Sequence, residues 1–175
     1  MRKILTFVSS AIGVAAILAL GIAVAGLAST SSPGSSAATT SEETTDTTEK
    51  PTTTKYRALL TARAEVPKAT GVKAGAGGTF TVPLTQSSGS YSIAWTLTFK
   101  NLTGRAEAAH IHKGKPGKAG PVLVSLCSPC RSGRKGKAKV SKAVASAIKA
   151  GSAYVNVHTA KNAAGELRGQ LKKSG

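Results

Sequence analysis

Histidine occurs three times in the 175 residues. All three fall in two short strand-like segments, Ala109-His-Ile-His112 and Asn156-Val-His-Thr159. In an extended strand, residues i and i+2 share a face. His110 and His112 therefore point the same way, about 6.5 Å apart along the strand, while Ala109 and Ile111 point the other way. Two imidazoles so placed can approach one ion, and imidazole suits zinc and copper. His158 offers a third ring. The candidate metal ligands are thus His110, His112 and His158, and a divalent metal is compatible with the chain without being required by it. His-x-His alone falls far short of a complete zinc-finger spacing. A second reading therefore stands beside the first, in which the rings are hydrogen-bonding scaffold.

The neighbours of these histidines repeat the alternation. Asn156 and His158 oppose Val155 and Val157, and Glu166, Arg168 and Gln170 oppose Leu167 and Leu171. If the aliphatic faces form the core, His110, His112, Asn156, His158, Glu166 and Arg168 lie on outer faces. If the three strands are neighbours, those six form one polar binding patch. No catalytic residue is expected, and the chain does not read as an enzyme. No serine sits in a recognisable nucleophile elbow, residues 55–175 contain no Asp, and their three Glu are not paired for acid–base work.

The elements that must position this patch are strands. Tyr91 to Phe99 alternates apolar and polar residues over nine positions, the mark of a half-buried antiparallel strand. Phe80, Val82 and Leu84 alternate with threonines, between glycines before and Ser87-Ser88-Gly89 after. Further strands are predicted over Tyr56–Ala64, around His110–His112 and over Val122–Leu126. Ala153–Thr159 and Glu166–Lys172, joined through Gly165, read as a hairpin. One short helix is predicted, capped by Ser141, with an apolar stripe of Val144, Ala147 and Ile148, and ended by Gly151. About seven strands and one helix predict an all-β fold, an immunoglobulin-like sandwich or a Greek-key barrel.

Charge is unevenly spread. From Lys55 onward there are 21 Lys and Arg against three Glu, a net +18. Arg131, Arg134, Lys135, Lys137, Lys139 and Lys142 form the densest cluster and read as a basic loop. Such a field attracts polyanions, and the expected partners are acidic cell-wall or extracellular polymers. A specific nucleic-acid partner is not expected, because nothing resembles a recognition helix or an aromatic stacking platform. The two cysteines, Cys127 and Cys130, are read as a local disulfide in an exported chain.

The N-terminus reads as a targeting segment. Arg2 and Lys3 precede an uncharged stretch from Ile4 to Ala28, with Ala23-Val24-Ala25 as an A-x-A site. The apolar run suits a cleaved signal peptide or a retained membrane anchor over residues 1–28, and both place the rest of the chain outside the cytoplasm. A membrane contact is expected only if the segment is retained. Residues 29–54 include 16 Ser or Thr among 26 positions, with no aromatic or large aliphatic side chain. They read as a disordered stalk.

Ala64-Glu-Val-Pro67, Ala109-His-Ile-His112 with Gly117 and Gly120-Pro121, and Tyr154-Val-Asn-Val-His-Thr159 with Gly165-Glu-Leu-Arg-Gly-Gln-Leu171 resemble the chordin-type (CHRD) domain. The resemblance spans about 115 residues. It implies an exported, all-β, immunoglobulin-like or barrel domain. In animal chordin such domains sit in an extracellular antagonist of bone morphogenetic proteins, a partner that a lone copy on a stalk does not inherit. The expected function is a cell-surface binding or structural module of CHRD type, with metal binding through the His-x-His strand as the alternative.

Overall fold

The computed structural model describes residues 50–175. The predicted signal peptide or anchor and nearly all of the predicted stalk lie outside the described residues. Among the described residues, no helix is long and apolar enough to cross a membrane.

Among the described residues, nine strands and one α-helix follow in the order β1 (Thr52–Leu60), β2 (Gly77–Ser87), β3 (Ser90–Lys100), β4 (Ala106–Lys113), β5 (Val122–Cys127), β6 (Arg134–Val140), α1 (Lys142–Lys149), β7 (Ala153–Thr159), β8 (Leu167–Gln170) and β9 (Lys172–Lys173). They form two antiparallel sheets, β6-β3-β2-β1-β9 and β5-β4-β7-β8. The expected all-β sandwich is the fold. Alternation builds it. Tyr56, Ala58 and Leu60, Phe80, Val82 and Leu84, and Ile93, Trp95 and Leu97 point inward from the first sheet, while Ala109, Ile111, Val155, Val157 and Leu167 are buried on the second. Each such large aliphatic or aromatic side chain contributes about 1.5–3 kcal/mol by leaving water. Helix α1 carries the expected cap, with Ser141 Oγ accepting from the Val144 N–H at 3.3 Å, and buries Val144, Ala145, Ala147 and Ile148.

Three expectations about the strands need correction. The basic cluster is not a loop. Arg134, Lys135, Lys137 and Lys139 lie on β6, an edge strand paired with β3, while Arg131 precedes it and Lys142 opens α1. The strand forms because the cations alternate with Gly136, Ala138 and Val140, which are half-buried. Gly136 is required by a close approach: a Cβ there would lie 2.4 Å from the Trp95 ring. The first strand begins at Thr52, inside the stretch read as stalk, and ends at Leu60, after which Ala62–Ala64 makes a single 3-10 turn. The last strand is split. β8 ends at Gln170, Leu171 turns inward, and Lys172–Lys173 crosses to pair with β1 in the other sheet.

Candidate metal centre

The second sheet places β4 beside β7 and β7 beside β8. His110 is opposite Asn156, which is opposite Arg168, and His112 is opposite Tyr154, which is opposite Gln170. The strands assumed to be neighbours are neighbours, and these side chains share the sheet's outer face.

That outer face is not open to solvent. Asn156 and Arg168 are each only 2% exposed, and Glu166 is fully buried. Two loops roof the face. The Arg168 guanidinium Nη2 donates to the carbonyls of Lys115 and Lys118 at 3.1 and 2.8 Å, and Gln170 Nε2 donates to those of Gly114, Gly151 and Ala153. From the other side, Glu65 Oε1 accepts from Asn156 Nδ2 at 2.7 Å. Long polar side chains on an outer face thus become buried because loop carbonyls descend to meet them.

The histidines stand at the margin of this roof, all half-buried. One ligand nitrogen from each lies within 4.8 Å of the others. His112 Nδ1 is 2.9 Å from the Gly120 carbonyl and His158 Nδ1 is 2.9 Å from the Ala163 carbonyl. A carbonyl only accepts, so both Nδ1 atoms carry the proton and both Nε2 atoms present lone pairs. His158 Nε2 receives His110 Nδ1 at 3.1 Å. His112 Nε2 is buried and has no hydrogen-bond partner among the described residues. Carbonyl contacts of this kind fix the tautomer and orientation of imidazole ligands. Gly120 suits its role because a side chain there would collide with the Lys113 carbonyl, 1.8 Å from its Cβ position.

A stack holds the His112 ring. Tyr154 lies nearly parallel to it, with ring centroids 5.0 Å apart at 12°, and the Arg168 guanidinium sits 3.5 Å over the Tyr154 ring. Burial lowers the pKa of all three histidines, aided at His110 by the charges of His158 and His112. The neutral imidazole, the ligand form, is therefore favoured.

Glu166 does not reach the histidines. Its carboxylate accepts from the Thr103 N–H and the Thr159 hydroxyl, both at 2.7 Å, from Asn162 Nδ2 at 3.1 Å, and from the Thr103 hydroxyl. Burial pushes its pKa up, but these donors outweigh burial and hold it below the ordinary carboxylate value. Glu65 is the converse. Burial raises it to about 7, against the Val66 N–H and the Arg168 charge. The two buried carboxylates tie loops to strands, and among the described residues no acidic side chain joins the histidine trio.

The architecture and motifs agree with one comparison. The family model of the CHRD domain matches residues 56–171. The chain belongs to the CHRD-domain family. No curated protein and no solved structure matched the chain. The matched span of this CHRD chain includes every residue of the roofed face, from Glu65 to Leu171.

Sequence reasoning missed Glu65, Tyr154 and Gly120 as parts of the centre. Glu65 sits in Ala64-Glu-Val-Pro67, and Gly120 in the Gly117…Gly120-Pro121 run, both noticed only as family motifs. The period-two rule itself places Tyr154 with Asn156 and His158. Cys127 and Cys130 form the expected disulfide, with Cα atoms 5.2 Å apart, where the chain leaves β5 for β6.

Proposed function

We propose that this CHRD domain is an extracytoplasmic binding module that holds a divalent transition-metal ion, zinc or copper, on His110 Nδ1, His112 Nε2 and His158 Nε2. The observation that carries the reading is the convergence of these three nitrogens, with the buried lone pair of His112 Nε2 left without a partner among the described residues. Zn–N bonds of 2.0–2.1 Å in a tetrahedron put ligand nitrogens about 3.3 Å apart. The His110–His158 pair already stands at 3.1 Å, so modest ring rotation at His112 completes the triangle. Binding shifts the His110 proton from Nδ1 to Nε2, leaving a neutral three-imidazole set with a fourth position for water.

A location outside the cytoplasm is supported by the targeting pattern of residues 1–28 and by the Cys127–Cys130 disulfide, a bond that persists in oxidising compartments. The module is read as binding rather than catalytic, since Glu65 and Glu166 are engaged in the fold.

The test is thermal unfolding of the full chain with Zn²⁺ or Cu²⁺. At a hundredfold excess over Kd, the expected rise in Tm is about 10 °C. It should vanish in each of His110→Ala, His112→Ala and His158→Ala and survive in Lys113→Ala. An unmutated protein that shows no shift with either metal ends the proposal.

A further inference from the structure

The outer face of the five-stranded sheet is organised in cross-strand rows. Lys139, Ser92, Thr85 and Thr53 form one row, and Lys135, Thr96, Thr81 and Arg57 form another, continued by Lys172 on β9. Between them runs a row with no hydroxyl: Lys137 opposite Ala94 at one end, Pro83 opposite Lys55 at the other. Short side chains in the middle row and longer ones on either side make a trough. Shallow depressions mark its course. One of about 390 Å³ lies between Thr85, Ala94 and Lys139, one of about 400 Å³ between Pro83, Thr96 and Lys137, and one of about 370 Å³ between Lys55, Arg57 and Pro83.

The chemistry is consistent along this course. The floor is the Ala94 methyl and the Pro83 ring, small apolar surfaces on which the apolar face of a sugar ring can rest. The walls are the hydroxyls of Ser92, Thr85, Thr96 and Thr81. The ends are cationic, with Lys135, Lys137 and Lys139 on β6 and Lys55 and Arg57 on β1, all exposed. Three strand spacings of about 4.8 Å separate the two cationic ends by about 14 Å. The three described Glu from residue 55 onward are elsewhere: Glu65 and Glu166 are buried, and Glu107 is on β4 in the other sheet.

We propose that this trough binds a segment of a linear acidic polysaccharide, with uronate carboxylates at the two cationic ends and sugar rings across the Pro83–Ala94 floor. Charge complementarity names an anion, and the hydroxyl walls and apolar floor select a carbohydrate among anions. A single-stranded nucleic acid calls for aromatic stacking platforms, and the aromatic side chains of β3 (Tyr91, Trp95 and Phe99) alternate with Ser92, Ala94 and Thr96 and so point to the opposite face. A bilayer calls for a band of exposed apolar side chains beside the cations, and on this face Leu59, beside the trough on β1, is the one large apolar side chain so exposed among the described residues. The site lies on the sheet opposite the histidine centre and stands or falls independently of it.

The test is calorimetric titration of the full chain with polygalacturonate, and with dextran as the neutral control, at about 0.01 M and about 0.15 M salt, between which the Debye length falls from about 30 to about 8 Å. Binding to polygalacturonate that weakens with salt, and none to dextran, is expected. Lys135→Gln/Lys137→Gln/Lys139→Gln should weaken it about tenfold, as three surface ion pairs would. A control of equal charge change on other exposed lysines, Lys73→Gln/Lys113→Gln/Lys161→Gln, should stay within about twofold. Ala94→Leu fills the trough without altering charge and should also weaken binding severalfold. Equal losses in the two triple variants would reduce the effect to net charge and overturn the proposal. So would indifference to Ala94→Leu, or tighter binding to duplex DNA or phosphatidylglycerol vesicles with the same residue dependence.

Discussion

Both sheets alternate inward and outward side chains, yet their outward faces differ in kind. The five-stranded sheet shows water a field of Lys, Thr and Ser, held apart by its own register. The four-stranded sheet turns His, Asn, Tyr, Arg and Gln outward and then covers most of them with the loop after β1 and the loop after β4. Period two decides which face a side chain joins. Whether that face is wet depends on loops, and loops follow no period. All four buried side-chain polar atoms without a partner among the described residues (His112 Nε2, Asn156 Oδ1, Arg168 Nη1 and Gln170 Oε1) belong to the roofed face. Buried polar groups are costly unless satisfied, so the roofed face is where a ligand or ordered water has most to offer.

The difference is broken most severely at Glu166. Glu166→Ala leaves the Thr103 N–H, two threonine hydroxyls and the Asn162 amide without their acceptor. Stranding buried donors should destabilise the domain by about 3–5 kcal/mol, a large share of the roughly 5–15 kcal/mol typical of a domain. Lys137→Ala on the open face should stay within about 0.5 kcal/mol. Urea unfolding of the two variants measures the contrast, and similar losses in both would show that the buried hydrogen bonds around Glu166 add nothing.

A subtler probe is pH. Glu65 has a folded-state pKa of about 7 against an ordinary 4.5. A raised pKa means that the folded state holds a proton the unfolded state has released. Its contribution is fully present below pH 4.5 and is lost as pH rises through 7. Glu65→Gln keeps an acceptor for Asn156 Nδ2 and removes the titration. Relative to the unmutated chain, the variant should gain about 3 kcal/mol between pH 4.5 and pH 8. A stability difference that stays flat across that range would mean that Glu65 is ionised in the fold throughout.

The sequence reading was strongest where side chains are large. Phe80–Leu84, Tyr91–Phe99 and the Ser141-capped helix were all legible, because apolar bulk marks the period. β6 was hidden because its inward residues are Gly136, Ala138 and Val140, small enough to fit under Trp95 and too small to signal a strand among four cations. The histidine strands were assigned to a shared face correctly, and pairing of β4 with β7 brought the rings together. Glu166 was misplaced with them because alternation was carried one residue too far: β8 begins at Leu167, and the Glu166 side chain departs toward Thr103. Glu65 was illegible, since nothing local in Ala64-Glu-Val-Pro67 indicates that Asn156 waits 91 positions away.

The smallest effect is expected where the two faces meet. Cys127 ends β5 in the roofed sheet, and Cys130 precedes β6 in the open one, with the Cys130 N–H held by the Ala106 carbonyl at 2.9 Å and the Gly133 N–H by that of Leu97 at 2.8 Å. A bridge across so short a loop restricts the unfolded chain little, and the loop-entropy relation gives at most about 2 kcal/mol. The backbone bonds of Cys130 and Gly133 form with or without the bridge and should hold the strands in place in Cys127→Ser/Cys130→Ser. Structural loosening should therefore be local. Amide exchange should quicken at Gly133 and along β6, the edge strand that the bridge steadies, while β4 and β7 exchange as before and the metal-induced rise in Tm is kept. Faster exchange in β4 as well would mean that the disulfide supports both faces, and that the roofed face is less self-sufficient than its hydrogen bonds imply.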